Sequence, residues 1–354
     1  MKIKVNLVSH KGSGSRGIGF YEKYLAQSLL STGKVEFSTL GSDIIHYPFF
    51  DLFYHSLPLI KLKPTIVTIH DLTPLVMSKY YPVGIRGRLN FFFQKLSLRG
   101  VNAIITDSEN SRRDTIKILN INPSKIFVTP LACDGEYAKV PSHRQVAATK
   151  KKYHLPDRFL LFVGGINVNK NLLTLIKASL KANIPLVLVG GEFTKPVLKN
   201  TSIKNLLGLQ VVHPEVAHVE NIKMYLKEFS QNIRTLGFVS NQELNHIYRL
   251  ATAYVQPSFY EGFGLPLLEA MTTGCLTISS KASSLPEIYP KGSITFNPDS
   301  QAELIQAINR VLKLSLRERT LLRNDALARA SDFSWNITAS KTLSIYQKVY
   351  SRSI

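Results

Sequence analysis

Two carboxylates, Glu261 and Glu269, stand eight positions apart in the run Tyr260-Glu261-Gly262-Phe263-Gly264-Leu265-Pro266-Leu267-Leu268-Glu269-Ala270. A glycine-rich turn and a proline separate them. The preceding Ala253-Tyr254-Val255-Gln256-Pro257 is short, apolar and β-prone, so it reads as the end of a strand. Pro266 suits the first turn of a helix, where its missing N–H costs nothing. Strand, glycine turn and helix start together aim backbone N–H groups and a helix N-terminus at an anion. Carboxylates beside a phosphate are electrostatically unfavourable unless they bind hydroxyls. The segment therefore describes a pocket for a sugar joined to a nucleotide diphosphate.

Other residues offer chemistry of their own. Lys170 follows a strand and a glycine turn in Gly164-Gly165-Ile166-Asn167-Val168-Asn169-Lys170-Asn171, where it would neutralise an anion or merely cap a solvated loop. Gly12, Gly14 and Gly17 fit G-x-G-x-x-G after the first strand, with Glu36 lying 19 residues beyond Gly17. That is a dinucleotide fingerprint in its proper setting, so an NAD-dependent oxidoreductase has to be weighed. Arg16 on the same loop would reach phosphate or stay solvated. His70 ends the apolar strand Thr65-Ile66-Val67-Thr68-Ile69, the end at which α/β sheets place their ligands. Asp71 would cap the next turn. A metal site has little support: His213-Pro214-Glu215-Val216-Ala217-His218 lacks the H-E-x-x-H spacing that puts two histidines on one helical face, and no Asp-x-Asp pair occurs.

The long run resembles the E-x7-E signature of the family 4 retaining glycosyltransferases, which have the GT-B fold. The similarity continues through Ala270-Met271-Thr272-Thr273-Gly274-Cys275, Ser283-Ser284-Leu285-Pro286-Glu287 and Asn297-Pro298-Asp299. Gly237-Phe238-Val239-Ser240 with Glu243-Leu244 is similar to the family's "GYVS..EL" element, His70-Asp71-Leu72 to its "HD" site, and Ser108-Glu109-Asn110-Ser111 to its "SEFS" helix start. Gly17-Ile18-Gly19-Phe20-Tyr21 is similar to its "GGIGRY" loop, so the resemblance explains the front glycines as well as the two glutamates. The NAD reading leaves the glutamates unexplained. The resemblance implies that Glu261 contacts the transferred sugar and that Glu269 holds the ribose hydroxyls. It implies backbone amides of Gly262, Phe263, Gly264 and Leu265 at sugar and diphosphate, and Lys170 neutralising the diphosphate. Phe238 and Val239 would lie by the base, Gly17 and Gly19 by the phosphates, and His70 beside the donor sugar. It implies no cofactor and no metal, the donor being a GDP- or UDP-sugar. Many relatives carry arginine at Gly165 or just before the lysine, where this chain has Asn169, so phosphate binding leans more heavily on Lys170.

These residues need two scaffolds. In the front half, short β-rich runs at 3–8, 44–47, 65–69, 103–106 and 126–129 alternate with helix candidates at 19–30, 84–98 and 111–119, the rhythm of a parallel α/β sheet. The second half restarts at 159–165 as a buried strand, with a helix from about Leu172 and further strands at 186–190, Val211-Val212 and 235–239. The expected division is an acceptor-side Rossmann-like domain at 1–138, a basic linker at 139–157, a nucleotide-sugar-binding Rossmann-like domain at 158–333, and a helix at 334–354. By resemblance the domains face each other across a cleft and the last helix crosses back to the front one. The stretch 191–236 has no confident assignment.

With 354 residues, 44% hydrophobic and 19% charged, the chain has globular composition. No segment is long and apolar enough to span a bilayer, the start reads as a strand, and two cysteines argue against a disulfide framework. A reduced cytoplasmic setting is the natural reading. The formal charge is +20; residues 1–133 carry 17 basic and 8 acidic side chains, a denser positive charge than in the rear half. Such a surface attracts anionic lipid, nucleic acid or phosphorylated substrates without selecting among them. The segment 86–99 mixes four bases with aromatics and leucines, reading equally as a helix on an anionic membrane or as a domain helix with solvated bases.

The sequence thus points to a retaining hexosyltransferase using a mannose or glucose nucleotide and a glycan acceptor. The acceptor is expected to be lipid-linked at the cytoplasmic membrane face, in cell-surface glycan or N-glycan assembly. Two alternatives stay open: a transferase acting on nucleic acid, and a non-catalytic protein binding anionic surfaces.

Overall fold

A computed structural model of the chain describes residues 2–9, 17–195 and 214–352. Glycines 12 and 14, Arg16, Val211-Val212 and His213 lie outside the described residues. The chain divides into two units: Met1–Ser78, Pro82–Cys133 and Asp332–Ile354 form the first, and Lys79–Tyr81 with Asp134–Ser331 form the second.

The first unit runs β1 (Ile3–Leu7), α1 (Ile18–Ser31), β2 (Val35–Phe37), β3 (Ile44–Tyr47), β4 (Thr65–Ile69), α2 (Thr73–Val76), α3 (Ile85–Arg99), β5 (Ala103–Thr106), α4 (Glu109–Leu119) and β6 (Ile126–Val128). Among the described residues its strands form one parallel sheet, ordered β2-β1-β3-β4-β5-β6. Every residue of β4 and β5 is buried, as expected of β-branched strands covered on both faces. Three-residue β2 was too short to read from pattern alone. Helix α4 starts at Ser108, whose side chain accepts from the Ser111 N–H. It ends at Asn120 in the left-handed region.

The second unit runs α5 (His143–Lys152), β7 (Leu160–Val163), α6 (Leu172–Lys181), β8 (Leu186–Val189), α7 (Pro214–Glu228), β9 (Ile233–Leu236), α8 (Asn241–Leu250), β10 (Ala253–Gln256), α9 (Leu265–Thr272), β11 (Thr277–Ser280), β12 (Ile294–Phe296), α10 (Gln301–Lys313) and α11 (Leu316–Ala330). Its sheet, again parallel, is ordered β12-β11-β10-β7-β8-β9. Helix α12 (Trp335–Ser351) then packs with the first unit against α1, β1 and β3. Buried Tyr346 of α12 reaches His46 Nδ1 at 2.7 Å.

The basic stretch expected as a linker behaves differently. It holds α5, opened by a Ser142/Gln145 capping box, and clusters with the second unit. Thr149 meets His246 Nδ1 at 2.7 Å, and Lys152 and Tyr153 both bond Glu243 on α8. A few side chains facing α8 suffice to dock a helix that is otherwise polar and solvated. Neither cysteine is in a disulfide; burial pushes the Cys275 thiol up to about 12.

Candidate active site at the strand ends

In the second sheet, β7 winds through α6 to β8 on one side, while β10 lies on its other side. Loops leaving the C-terminal ends of β7 and β10 therefore diverge and open the crevice where α/β sheets take ligands. Lys170 lies on the first of these loops and Glu261 on the second.

Their side chains meet. Lys170 Nζ donates to both oxygens of Glu261 at 2.8 Å. Oε1 also accepts from Gln256 Nε2 and from Ser258 Oγ, each at 2.6 Å. Gln256 and Ser258 are fully buried, and the Tyr254 hydroxyl donates in turn to Gln256 Oε1. Glu261 is thus a nearly buried carboxylate whose charge is matched by one cation and two fixed dipoles, which is how a buried anion is tolerated. Its backbone is held too: Ser283 Oγ accepts from the Glu261 N–H, and Ser284 Oγ donates to the carbonyls of Glu261 and Phe263.

Asn169 and Asn171 explain how Lys170 comes to this place. Asn169 Nδ2 donates to the Tyr260 carbonyl at 3.0 Å, and its own carbonyl accepts from the Phe259 N–H. Asn171 adopts φ 51°, which asparagine tolerates, and donates to the carbonyls of Pro257 and Pro298. Where arginine was expected by resemblance, a buried asparagine clamps the glutamate loop instead.

Gly264 caps α9 at φ 115°, and a Cβ there would stand 2.6 Å from Leu285 Cδ2. Only glycine fits both the dihedral and the space. Gly262, Phe263 and Leu265 surround it at the helix start, with Pro266 in the first turn. Glu269 follows within α9 and accepts from the buried Tyr248 hydroxyl at 3.0 Å. Burial first, and then the Glu269 charge, push the Tyr248 phenol well up, so it remains a donor at every working pH. Phe238 and Val239 lie on the loop from β9 to α8, Phe238 exposed and Val239 buried.

In the first unit, His70 follows β4. Its Nδ1 lies 2.7 Å from Asp107 Oδ2 and its Nε2 3.0 Å from the Pro48 carbonyl. Both ring nitrogens face acceptors, an arrangement that suits the imidazolium. Burial pulls the His70 pKa down, but the Asp107 charge and hydrogen bond outweigh it, and the net direction is up. Burial pushes Asp107 up in turn, only partly opposed by His70. The Tyr21 ring meets His70 edge-on at 4.9 Å. Behind them His46 bonds Tyr346 and Thr68, and burial with the His70 charge lowers it to about 3, so it stays neutral. Asp71 caps the next turn, its Oδ1 accepting from the Thr73 N–H. Gly17, at φ 68°, is the N-cap of α1, and Gly19 lies in its first turn.

Sequence reasoning missed Gln256, Ser258, Tyr254, Tyr248 and Asp107. Asp107, a charged residue directly after an apolar strand, carried the same signal as His70. Nothing in spacing marked Tyr248, which comes from a different helix. Among the described residues no group of three or more His, Cys, Asp or Glu could hold a metal ion. None of the described helices is long and apolar enough to cross a membrane.

Two parallel α/β sheets with a site at the strand ends and a helix returning to the first unit define a GT-B architecture. The chain belongs to the "Glycosyl transferases group 1" family, whose model matches residues 145–327; that of "Glycosyltransferase Family 4" matches 15–137. It is 28% identical over 303 residues to O-antigen chain mannosyltransferase B of Escherichia coli, spanning 81% of this chain and 71% of that protein. It is 30% identical over 290 residues to the serotype-specific mannosyltransferase WbdA of the same species, spanning 78% of this chain but only 32% of that protein. Among solved structures, sucrose-phosphate synthase from Thermosynechococcus elongatus superposes with TM-score 0.74 at 18% identity, covering 99% of this chain and 100% of the other. Anabaena HepE in complex with UDP and glucose superposes with TM-score 0.71 at 16% identity over 97% and 99%.

Proposed function

We propose that the chain is a retaining hexosyltransferase that moves mannose from a GDP-sugar, or glucose from a UDP-sugar, to a hydroxyl of a growing, lipid-linked glycan. The Lys170–Glu261 pair carries this reading. Lys170 spends two N–H groups on Glu261 and keeps a third, which would hold the donor diphosphate and set the carboxylate beside the sugar. The N-terminus of α9 adds its partial positive charge. As the glycosidic bond lengthens, charge moves onto the leaving phosphate and positive charge develops at the sugar carbon. Lysine and helix end would stabilise the first, and Glu261 the second. With these positive groups at the phosphate, we take turnover to need no metal ion. The acceptor oxygen would attack on the face that the phosphate leaves, and the phosphate would accept its proton; configuration is then retained. Glu269, oriented by Tyr248, would hold the ribose hydroxyls. The mannosyltransferase relatives support mannose, and the HepE structure, in complex with UDP and glucose, supports a nucleotide-sugar donor.

Calorimetry of the chain against GDP, UDP, ADP and NAD, with EDTA present, tests the donor. Selective binding of GDP or UDP is expected. Preference for NAD, or no nucleoside diphosphate binding, overturns the reading.

A further inference from the structure

Helix α3 presents two kinds of surface. Leu98 and the inward Phe91 pack on the first unit's core, and Gln94 is buried. Ile85, Leu89 and Phe92, spaced i, i+4 and i+7, form a second apolar stripe that faces outward, with Ile85 89% exposed. Alongside runs the loop 51–62. Asn90 donates to the Phe53 carbonyl, Gln94 to the Asp51 carbonyl and Ser56 Oγ, and Lys61 to the Ser97 carbonyl. The loop is therefore fixed along the helix, and it too exposes large apolar side chains: Tyr54, Leu59, Ile60 and Leu62, the last 90% exposed. The rings of Phe92, Phe93 and His55 bridge stripe and loop, with centroids 5.6 and 6.4 Å apart.

Charge on this face has one sign. Helix α3 carries Arg86, Arg88, Lys95 and Arg99 and no acidic residue. From Leu52 to Thr106 the sequence has seven basic residues and a single acidic one, Asp71, which caps a turn. Asp51, at the loop's start, bonds the Phe53 and Tyr54 N–H groups.

A solvated helix face has no use for a second apolar stripe, and such patches mark interaction surfaces. A nucleic acid would engage the bases but leave the aliphatic side chains wet. An anionic bilayer uses both, since apolar tips enter the acyl boundary while arginines stay at the headgroup phosphates. We infer that α3 and the loop 54–62 form a docking face for an anionic lipid bilayer. The inference is independent of hexosyl transfer and concerns a different surface.

The test is co-sedimentation of the full chain with vesicles of phosphatidylcholine alone or mixed with phosphatidylglycerol. Binding to anionic vesicles is expected to exceed binding to neutral ones roughly 10-fold or more, and to weaken with salt. Leu89→Ser with Phe92→Ser should lower it roughly 10- to 100-fold with the circular dichroism unchanged. Arg86→Gln with Arg88→Gln should lower it about 10-fold and flatten the salt dependence. Ile60→Ser with Leu62→Ser provides the same reading from the loop should the helix variants misfold. Equal binding to neutral vesicles, wild-type binding by the apolar variants, or preference for duplex DNA over anionic vesicles would overturn the inference.

Discussion

The two units share one plan, six parallel strands, yet the loops that leave their strand ends carry different kinds of polar pair. In the second unit, Glu261 is fully partnered by Lys170, Gln256 and Ser258 before any ligand arrives. Its geometry is held by buried dipoles that do not titrate near neutrality. In the first unit, the end of β4 holds partly buried His70 against buried Asp107, a pair whose charge state shifts with pH. The contrast separates two tasks. Fixed dipoles and a cation hold one carboxylate in place in advance, whereas a histidine–carboxylate pair makes the strength of its contact depend on a proton.

Three variants would break or sharpen that contrast. Glu261→Gln keeps the shape but removes the charge and half of the Lys170 pairing. A fall in kcat/KM of roughly 100- to 1,000-fold is expected, measured with the nucleotide sugar identified by calorimetry. Near-normal turnover would show that the second unit's central carboxylate is only structural. Tyr248→Phe removes one buried donor from Glu269. The donor KM should rise about 5- to 10-fold with kcat within roughly 2-fold, since one hydrogen bond is worth about 1 kcal/mol. An equal loss in kcat would place Tyr248 closer to the chemistry than its 3.0 Å bond to Glu269 implies.

Asp107→Asn should act mainly through pH. The carboxylate holds the His70 pKa above its ordinary value, so His70 keeps its proton below its unfolded pKa and loses it as pH rises through the folded one. Without that charge burial prevails and the pKa falls. The His70 ring signals in an NMR titration should therefore move to lower pH. Unmoved signals would mean that the pair is not electrostatically coupled.

Much of this was legible in the chain. Central strands β4, β5, β7 and β8 announced themselves because both faces are buried and so nearly every residue is apolar. The Gly264 turn and Pro266 could be read because backbone constraints are local. What escaped were elements whose signal is contact. Short β2 is fixed by pairing with β1, and α5 looked like a linker because only its few residues against α8 decide its place. Asn169 seemed a lost phosphate ligand until its bond to the Tyr260 carbonyl showed it anchoring the glutamate loop.

By itself the sequence determined the parallel α/β rhythm, the glutamates at a strand-to-helix turn and the basic front half. Hydrophobic period, glycine, proline and charge act over a few residues and survive in one dimension. Only the tertiary structure decided which donors reach Glu261, which carboxylate faces His70, and that Ile85, Leu89 and Phe92 face outward. Hydrogen bonding and burial join residues 91 or 37 positions apart, as in Lys170–Glu261 and His70–Asp107, and no local pattern encodes that distance.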